Sequence, residues 1–107
     1  MSAITPGLCI CICTYKRAQL LKAEILDLFA QTIHPERLVI VNGDPASSEV
    51  LDMLRSLPYP AGWQVTYIPS NHSNLSYQRY LGWRAAQNYR TLLYFDDDLR
   101  IPQTDAV

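Results

Sequence analysis

The chain has 107 residues, 49% hydrophobic and 18% charged, a size and balance suited to one globular domain and too apolar for a disordered segment. Its formal net charge is -1 and its basic residues are scattered, so there is no electrostatic footprint for nucleic acid. No apolar run approaches the ~20 residues that span a bilayer, and Met1 to Gly7 lacks the charged start and long apolar stretch of a signal peptide, so a cytoplasmic location is expected.

Leu8 to Cys13 is apolar on both faces, the pattern of a strand buried between two helical layers. Its three cysteines, Cys9, Cys11 and Cys13, alternate along one face with Cα atoms roughly 6.5 Å apart, a spacing poor for disulfides. With no other cysteine and no histidine at a zinc spacing, they read as small buried hydrophobes in a reducing compartment. From Arg17 to Gln31 the apolar residues Leu20, Leu21, Ile25, Leu28 and Phe29 recur at helical spacing, with Lys22, Glu24 and Asp27 between them as the polar face; Pro35 closes this helix. Leu38 to Val41 predicts a second strand, stopped by Asn42, Gly43, Asp44 and Pro45. Val50, Leu51, Leu54 and Leu57 form the stripe of a second helix that ends at Pro58.

Gln64 to Ile68 has strand character and Pro69 breaks it. Asn74 is placed to cap a third helix from Leu75 to about Asn88, and Thr91 to Phe95 is a fourth strand running into Asp96, Asp97 and Asp98. His34 and His72 read as loop residues, and Trp63 and Trp83 as packing groups. Alternating strands and helices argue for an α/β, Rossmann-like three-layer fold: a parallel sheet of order 3-2-1-4 with right-handed crossovers and helices on both faces. Ligands in such sheets bind outside the carboxyl ends of the strands. Four polar segments must lie there: Thr14 to Arg17, Asn42 to Pro45, Ser70 to Asn74, and Asp96 to Asp98.

The acidic triplet carries the sharpest chemistry. Adjacent carboxylates at the end of a buried strand repel one another unless a cation compensates them. Mg²⁺ or Mn²⁺ takes one or two carboxylates plus phosphate oxygens and water, which suits a nucleotide diphosphate held through metal. On this motif alone, a solvated acidic turn or a helix cap is an equal reading.

Five segments together carry a resemblance. Cys13-Thr14-Tyr15-Lys16-Arg17, Ala30-Gln31-Thr32, Val39-Ile40-Val41-Asn42-Gly43, Asn74 to Ala86, and Leu93-Tyr94-Phe95-Asp96-Asp97-Asp98 stand in the order and spacing of the family 2 glycosyltransferases of the GT-A fold. The resemblance covers about Leu8 to Pro102. It implies that Thr14 and Tyr15 lie against the nucleoside with Arg17 close by. It further implies that Asp96 contacts the ribose, Asp98 the metal (Mn²⁺ or Mg²⁺), and Arg79 the base or phosphate. Such enzymes transfer a sugar from a nucleotide diphosphate donor (UDP, GDP or dTDP) to a carbohydrate or lipid-linked acceptor, and a cytoplasmic full-length protein, peripheral to the membrane as one alternative, is the expectation. Where the family often has an acidic reader of the base, this chain has Asn42 and Gly43, with Asp44 displaced along the loop. An amide both donates and accepts, so the base preference stays open.

The family's acceptor site and general base follow the acidic motif. The one later carboxylate, Asp105, comes too soon after Asp98 to match that base, so residues 1–107 are expected to be a donor-binding subdomain that holds the donor without turnover. A non-catalytic nucleotide-binding or interaction module remains an alternative. A phosphate-accepting receiver domain is disfavoured, because acidic residues are missing after the first and third strands.

Overall fold

The computed structural model describes residues 3–72 and 74–101. Its elements are β1 (Ala3–Thr14), α1 (Ala18–Phe29), β2 (Ile33–Asn42), α2 (Glu49–Ser56), β3 (Gln64–Pro69), α3 (Leu75–Ala85) and β4 (Thr91–Asp96). The sheet has the order β3-β2-β1-β4 and every pairing in it is parallel. The expected topology is therefore present, with β1 and β2 at its centre.

Period-two alternation on the central strands divides the interior into two layers. Ile10, Ile12, Leu38 and Ile40 point to one face, where Leu21, Ile25 and Leu28 of α1 and Val50, Met53 and Leu54 of α2 cover them. Cys9, Cys11, Val39 and Val41 point to the other, under Leu81 and Ala85 of α3. The row of cysteines is thus packing material: Cys9 and Cys11 are fully buried, and only Cys13, nearest the carboxyl edge, is partly open. Gly82 lets α3 approach β1, since a Cβ there would fall 2.3 Å from Cys11 Sγ.

Two strands are longer than the apolar runs suggest. β1 begins at Ala3, and its register with β2 shifts between Thr5 and Cys9, around Pro6 and a Gly7 in left-handed backbone (φ 81°). Pro35 does not follow a loop; it lies inside β2, opposite Thr5 in the irregular part of the ladder. His34 is correspondingly not a loop residue. It is buried, accepts a hydrogen bond from Trp63 Nε1 at Nδ1 (2.9 Å), and its Nε2 lies 2.9 Å from Phe29 O. With Nδ1 accepting, the proton sits on Nε2 and donates to that carbonyl, which pins the end of α1. Trp63 packs as expected, edge-on to Phe29 and His34.

α1 departs from its sequence reading at two positions. Leu20 is exposed, whereas Glu24 is buried beneath the acidic turn with neither carboxylate oxygen hydrogen-bonded. α3 begins as expected, with Asn74 Oδ1 accepting from Tyr77 N at 3.0 Å, but it stops at Ala85.

Candidate functional site

Thr14, Asn42, Pro69 and Asp96 end their strands at one edge, in register: Thr14 opposes Asn42, Asn42 opposes Pro69, and Cys13 opposes Asp96. The four polar segments expected there are brought together, apart from Ser73, which lies outside the described residues. Two clefts open along this edge, on either side of the turn between β1 and α1.

The first cleft, about 250 Å³, lies toward α3 and is lined by Cys13, Arg17, Leu75, Arg79, Tyr94, Phe95 and the Asp96–Asp98 turn. Of the expected site residues it gathers Arg17, Arg79, Asp96 and Asp98. Arg79 lies on the exposed side of α3 with its guanidinium 5.9 Å from the Tyr94 ring centroid, and its carbonyl accepts from the Tyr94 hydroxyl at 2.8 Å. Cys13 is the thiol that reaches this cleft. A hydrogen bond from Cys11 and the charge of Arg79 hold it below the ordinary thiol range, and the same pairing pushes Cys11 up.

The second cleft, about 230 Å³, lies toward α2 and includes Lys16, Asn42, Asp44, Ser47 and Glu49. Asn42 is fully buried, and its amide is already engaged: Nδ2 donates to Tyr67 Oη (3.0 Å) and Asp44 O (3.3 Å), while Oδ1 accepts from Asp44 N (3.0 Å). The side chain closes an Asx turn that fixes Asp44. Between the clefts, Tyr15 is exposed, with Lys16 Nζ 5.2 Å from its ring centroid; Lys16 itself adopts left-handed backbone (φ 56°) to make the turn.

Thr14 lies under the seam, not on the surface. It is buried, its Oγ1 donates to Asp97 Oδ2 at 3.1 Å, and its carbonyl accepts from Gln78 Nε2 at 3.2 Å. Arg17 Nη1 donates to Asp97 Oδ1 at 3.2 Å and lies 3.5 Å from Asp98 Oδ2. Asp97 is therefore the inward member of the triplet. Strand alternation turns its side chain away from those of Asp96 and Asp98, toward Thr14 and Arg17. Asp96 and Asp98 are exposed at the cleft, the latter with 53% of its side chain open.

Sequence reasoning overlooks three supporting residues. Gln78 looks like an ordinary helical glutamine until β1 is placed beneath it. Asp27, read as a surface charge, receives Arg100 Nε (2.8 Å) and Nη2 (3.1 Å) and Ile101 N (2.9 Å), anchoring the segment beyond the acidic turn to α1; these bonds hold its carboxyl below the usual range. Glu24 is the third. Burial pushes its carboxyl up to about 8, with the nearby Leu99 backbone N–H acting against it and Asp97, Asp98 and Asp96 adding to the rise.

Residues 9–106 match the family described as Glycosyl transferase family 2. The chain belongs to glycosyltransferase family 2. No curated protein matches it. Family membership carries glycosyl transfer, with a nucleotide-sugar donor and an acceptor, as the general activity. No helix among the described residues is long and apolar enough to cross a membrane.

A metal ion at the first cleft would need ligands beyond the protein. No group of three or more His, Cys, Asp or Glu side chains converges among the described residues, so an all-protein cage is not formed. Two outward carboxylates, and one carboxylate in excess of the two arginines, fit a hard divalent ion completed by phosphate oxygens and water.

Proposed function

We propose that this family 2 chain binds a nucleotide diphosphate sugar at the first cleft and presents its diphosphate to a divalent ion, Mn²⁺ or Mg²⁺, at Asp98. The observation that supports this most directly is the juxtaposition, in one cleft at the carboxyl edge, of Arg17 and Arg79 with the outward Asp96 and Asp98. In this reading Asp96 accepts from a ribose hydroxyl. Tyr15 offers an open ring to the nucleoside, and Asp44, fixed by the Asn42 turn, stands where the base is read. Arg17 engages the acidic turn through Nη1 alone, which leaves its other donors for phosphate oxygens.

Transfer in the family is a displacement at the anomeric carbon: a base takes the acceptor hydroxyl's proton and the nucleotide diphosphate departs. The bound ion would offset charge growing on that leaving group. Arg17 and Arg79 add fixed positive charge at the same place, while the Thr14 and Arg17 contacts hold the turn so that Asp96 and Asp98 need no rearrangement. In the inverting mechanism proposed here, the base is a carboxylate on the acceptor side. None of the triplet is free for it, since Asp97 is clamped and the other two face the donor. Residues 1–107 alone are therefore proposed to bind donor without transferring sugar to a carbohydrate or lipid-linked acceptor.

Calorimetry of UDP, GDP and dTDP, each with Mn²⁺ and with chelator, tests the proposal. Metal-dependent binding of at least one nucleotide is expected. Binding of none, or binding that survives substitution of Arg79, Asp96 and Asp98 but is lost on substitution of Lys16 and Ser47 in the second cleft, would reject the site.

A further inference from the structure

α3 buries little of its own surface. Gln78 and Gly82 are its buried residues, whereas Tyr77, Tyr80 and Trp83 are 42%, 48% and 51% exposed. Their three-residue spacing places them on one slanting stripe, with successive ring centroids 6.3 and 6.2 Å apart. Singly exposed aromatics need no explanation; a contiguous row of three on the outside of a helix does.

The charge of this face narrows what it fits. The helix carries two arginines, Arg79 and Arg84, and no carboxylate, in a chain whose net charge is -1. The Arg84 guanidinium lies 5.9 Å from the Tyr80 ring centroid, within the stripe. A second copy of the chain packed two-fold on this stripe would bring arginines together with no helix carboxylate to receive them. Rings with apolar bodies and polar tips, on a helix that carries Arg84 among them and no carboxylate of its own, instead match the headgroup zone of a bilayer, where Tyr and Trp sit at the water boundary and basic side chains pair with lipid phosphates.

We propose that the exposed face of α3 docks on an anionic membrane surface, with Tyr80 and Trp83 entering the headgroup region and Arg84 pairing with lipid phosphate. Leu75 and Arg79 of the same helix line the donor cleft, so docking sets that cleft beside the bilayer. Docking itself requires neither nucleotide nor metal, and it can fail while the donor reading stands.

The test is sedimentation of the 107-residue chain with vesicles of phosphatidylcholine alone and of phosphatidylcholine rich in phosphatidylglycerol, without nucleotide or metal. Tryptophan fluorescence is followed in parallel. Binding is expected only on the anionic vesicles, weakening with salt, with a blue shift that Trp83→Phe abolishes; Trp63, packed against Phe29 and His34, does not respond. Arg84→Glu should reduce partitioning roughly tenfold, and Tyr80→Ser with Trp83→Ser by roughly tenfold or more, both with unchanged circular dichroism because these side chains are exposed. The proposal is overturned by equal or absent binding to the two vesicle types, or by a double serine variant that binds like the parent. Tighter binding of a single-stranded oligonucleotide, or a solution dimer that the serine substitutions dissolve, would also overturn it by assigning the stripe to another partner.

Discussion

Thr14 and Asp97 stand 83 positions apart in the chain and meet in a buried hydrogen bond of 3.1 Å between Oγ1 and Oδ2. That contact ties the end of the central strand to the acidic turn, and Arg17 closes it from the solvent side. The triplet thus divides its labour: one carboxylate holds the turn, and two are offered to the cleft.

This division predicts different failures for neighbouring substitutions. Asp97→Asn places an amide where both Thr14 and Arg17 donate, so one donor is opposed and stability should fall by about 1–3 kcal/mol; nucleotide binding weakens as a consequence. Thermal melting of the two single variants distinguishes the roles. Asp98, half open to solvent, should melt within about 0.5 kcal/mol of the parent when changed to Asn. Equal destabilisation by the two substitutions would remove the distinction.

Glu24 makes stability fall as pH rises. Its folded value of about 8 lies above the ordinary 4.5, so the native state binds more protons than the unfolded chain between those values. The neutral acid is tolerated below about 4.5, and stability declines with pH until the group is ionised above about 8. Glu24→Gln, neutral throughout, should remove much of this decline and melt several degrees higher than the parent at alkaline pH, while near pH 5 the two should nearly coincide. Parallel melting curves across the whole range would mean that the carboxylate finds solvation on ionising.

Gly82→Ala tests the contact between α3 and β1. The new Cβ would fall 2.3 Å from Cys11 Sγ, and Cys11 is fully buried, so strand or helix must shift at about 1–3 kcal/mol. Cys11→Ala removes the obstructing sulfur. The double variant should therefore be more stable than additivity allows, which denaturant melts of all four proteins would show as a coupling energy. Additive effects would locate the strain elsewhere.

What was legible in the sequence follows from periodicity. The two-faced apolar runs at Leu8–Cys13 and Leu38–Val41 and the stripes of α1 and α2 fixed the alternation, and the alternation fixed the sheet order and the edge that carries the site. Illegible were features set by contacts between distant segments. Ala3–Gly7 and Ile33–Pro35 are strand only because each supplies the other's ladder across a bulge. Trp83 reads as a packing group from its type, yet it is half exposed on the outside of α3, stacked on Tyr80. Glu24 follows the polar spacing of α1 but falls under a turn that lies more than seventy residues further on. For the site, the outward pair Asp96 and Asp98 follows from strand alternation. The engagement of Asn42 by Tyr67 and the clamp on Asp97 required the fold.

Metal dependence is the sharpest test of the cleft. Asp96, Asp97 and Asp98 outnumber Arg17 and Arg79 there, and a diphosphate adds charge of the same sign, so binding without a cation opposes its own electrostatics. A divalent ion at Asp98 reverses the local sign. With chelator, affinity for the preferred nucleotide should drop by at least roughly tenfold, since one unscreened pairing in a partly closed cleft is worth more than about 1.4 kcal/mol. Asp98→Asn should reproduce that loss in the presence of Mn²⁺ and make the remaining binding insensitive to chelator. Asp96→Asn should be intermediate and keep its metal dependence, because an amide oxygen still accepts from a ribose hydroxyl. If Asp98→Asn instead stayed as metal-dependent as the parent, the ion would have to be held elsewhere, and the outward carboxylates would be a solvated turn.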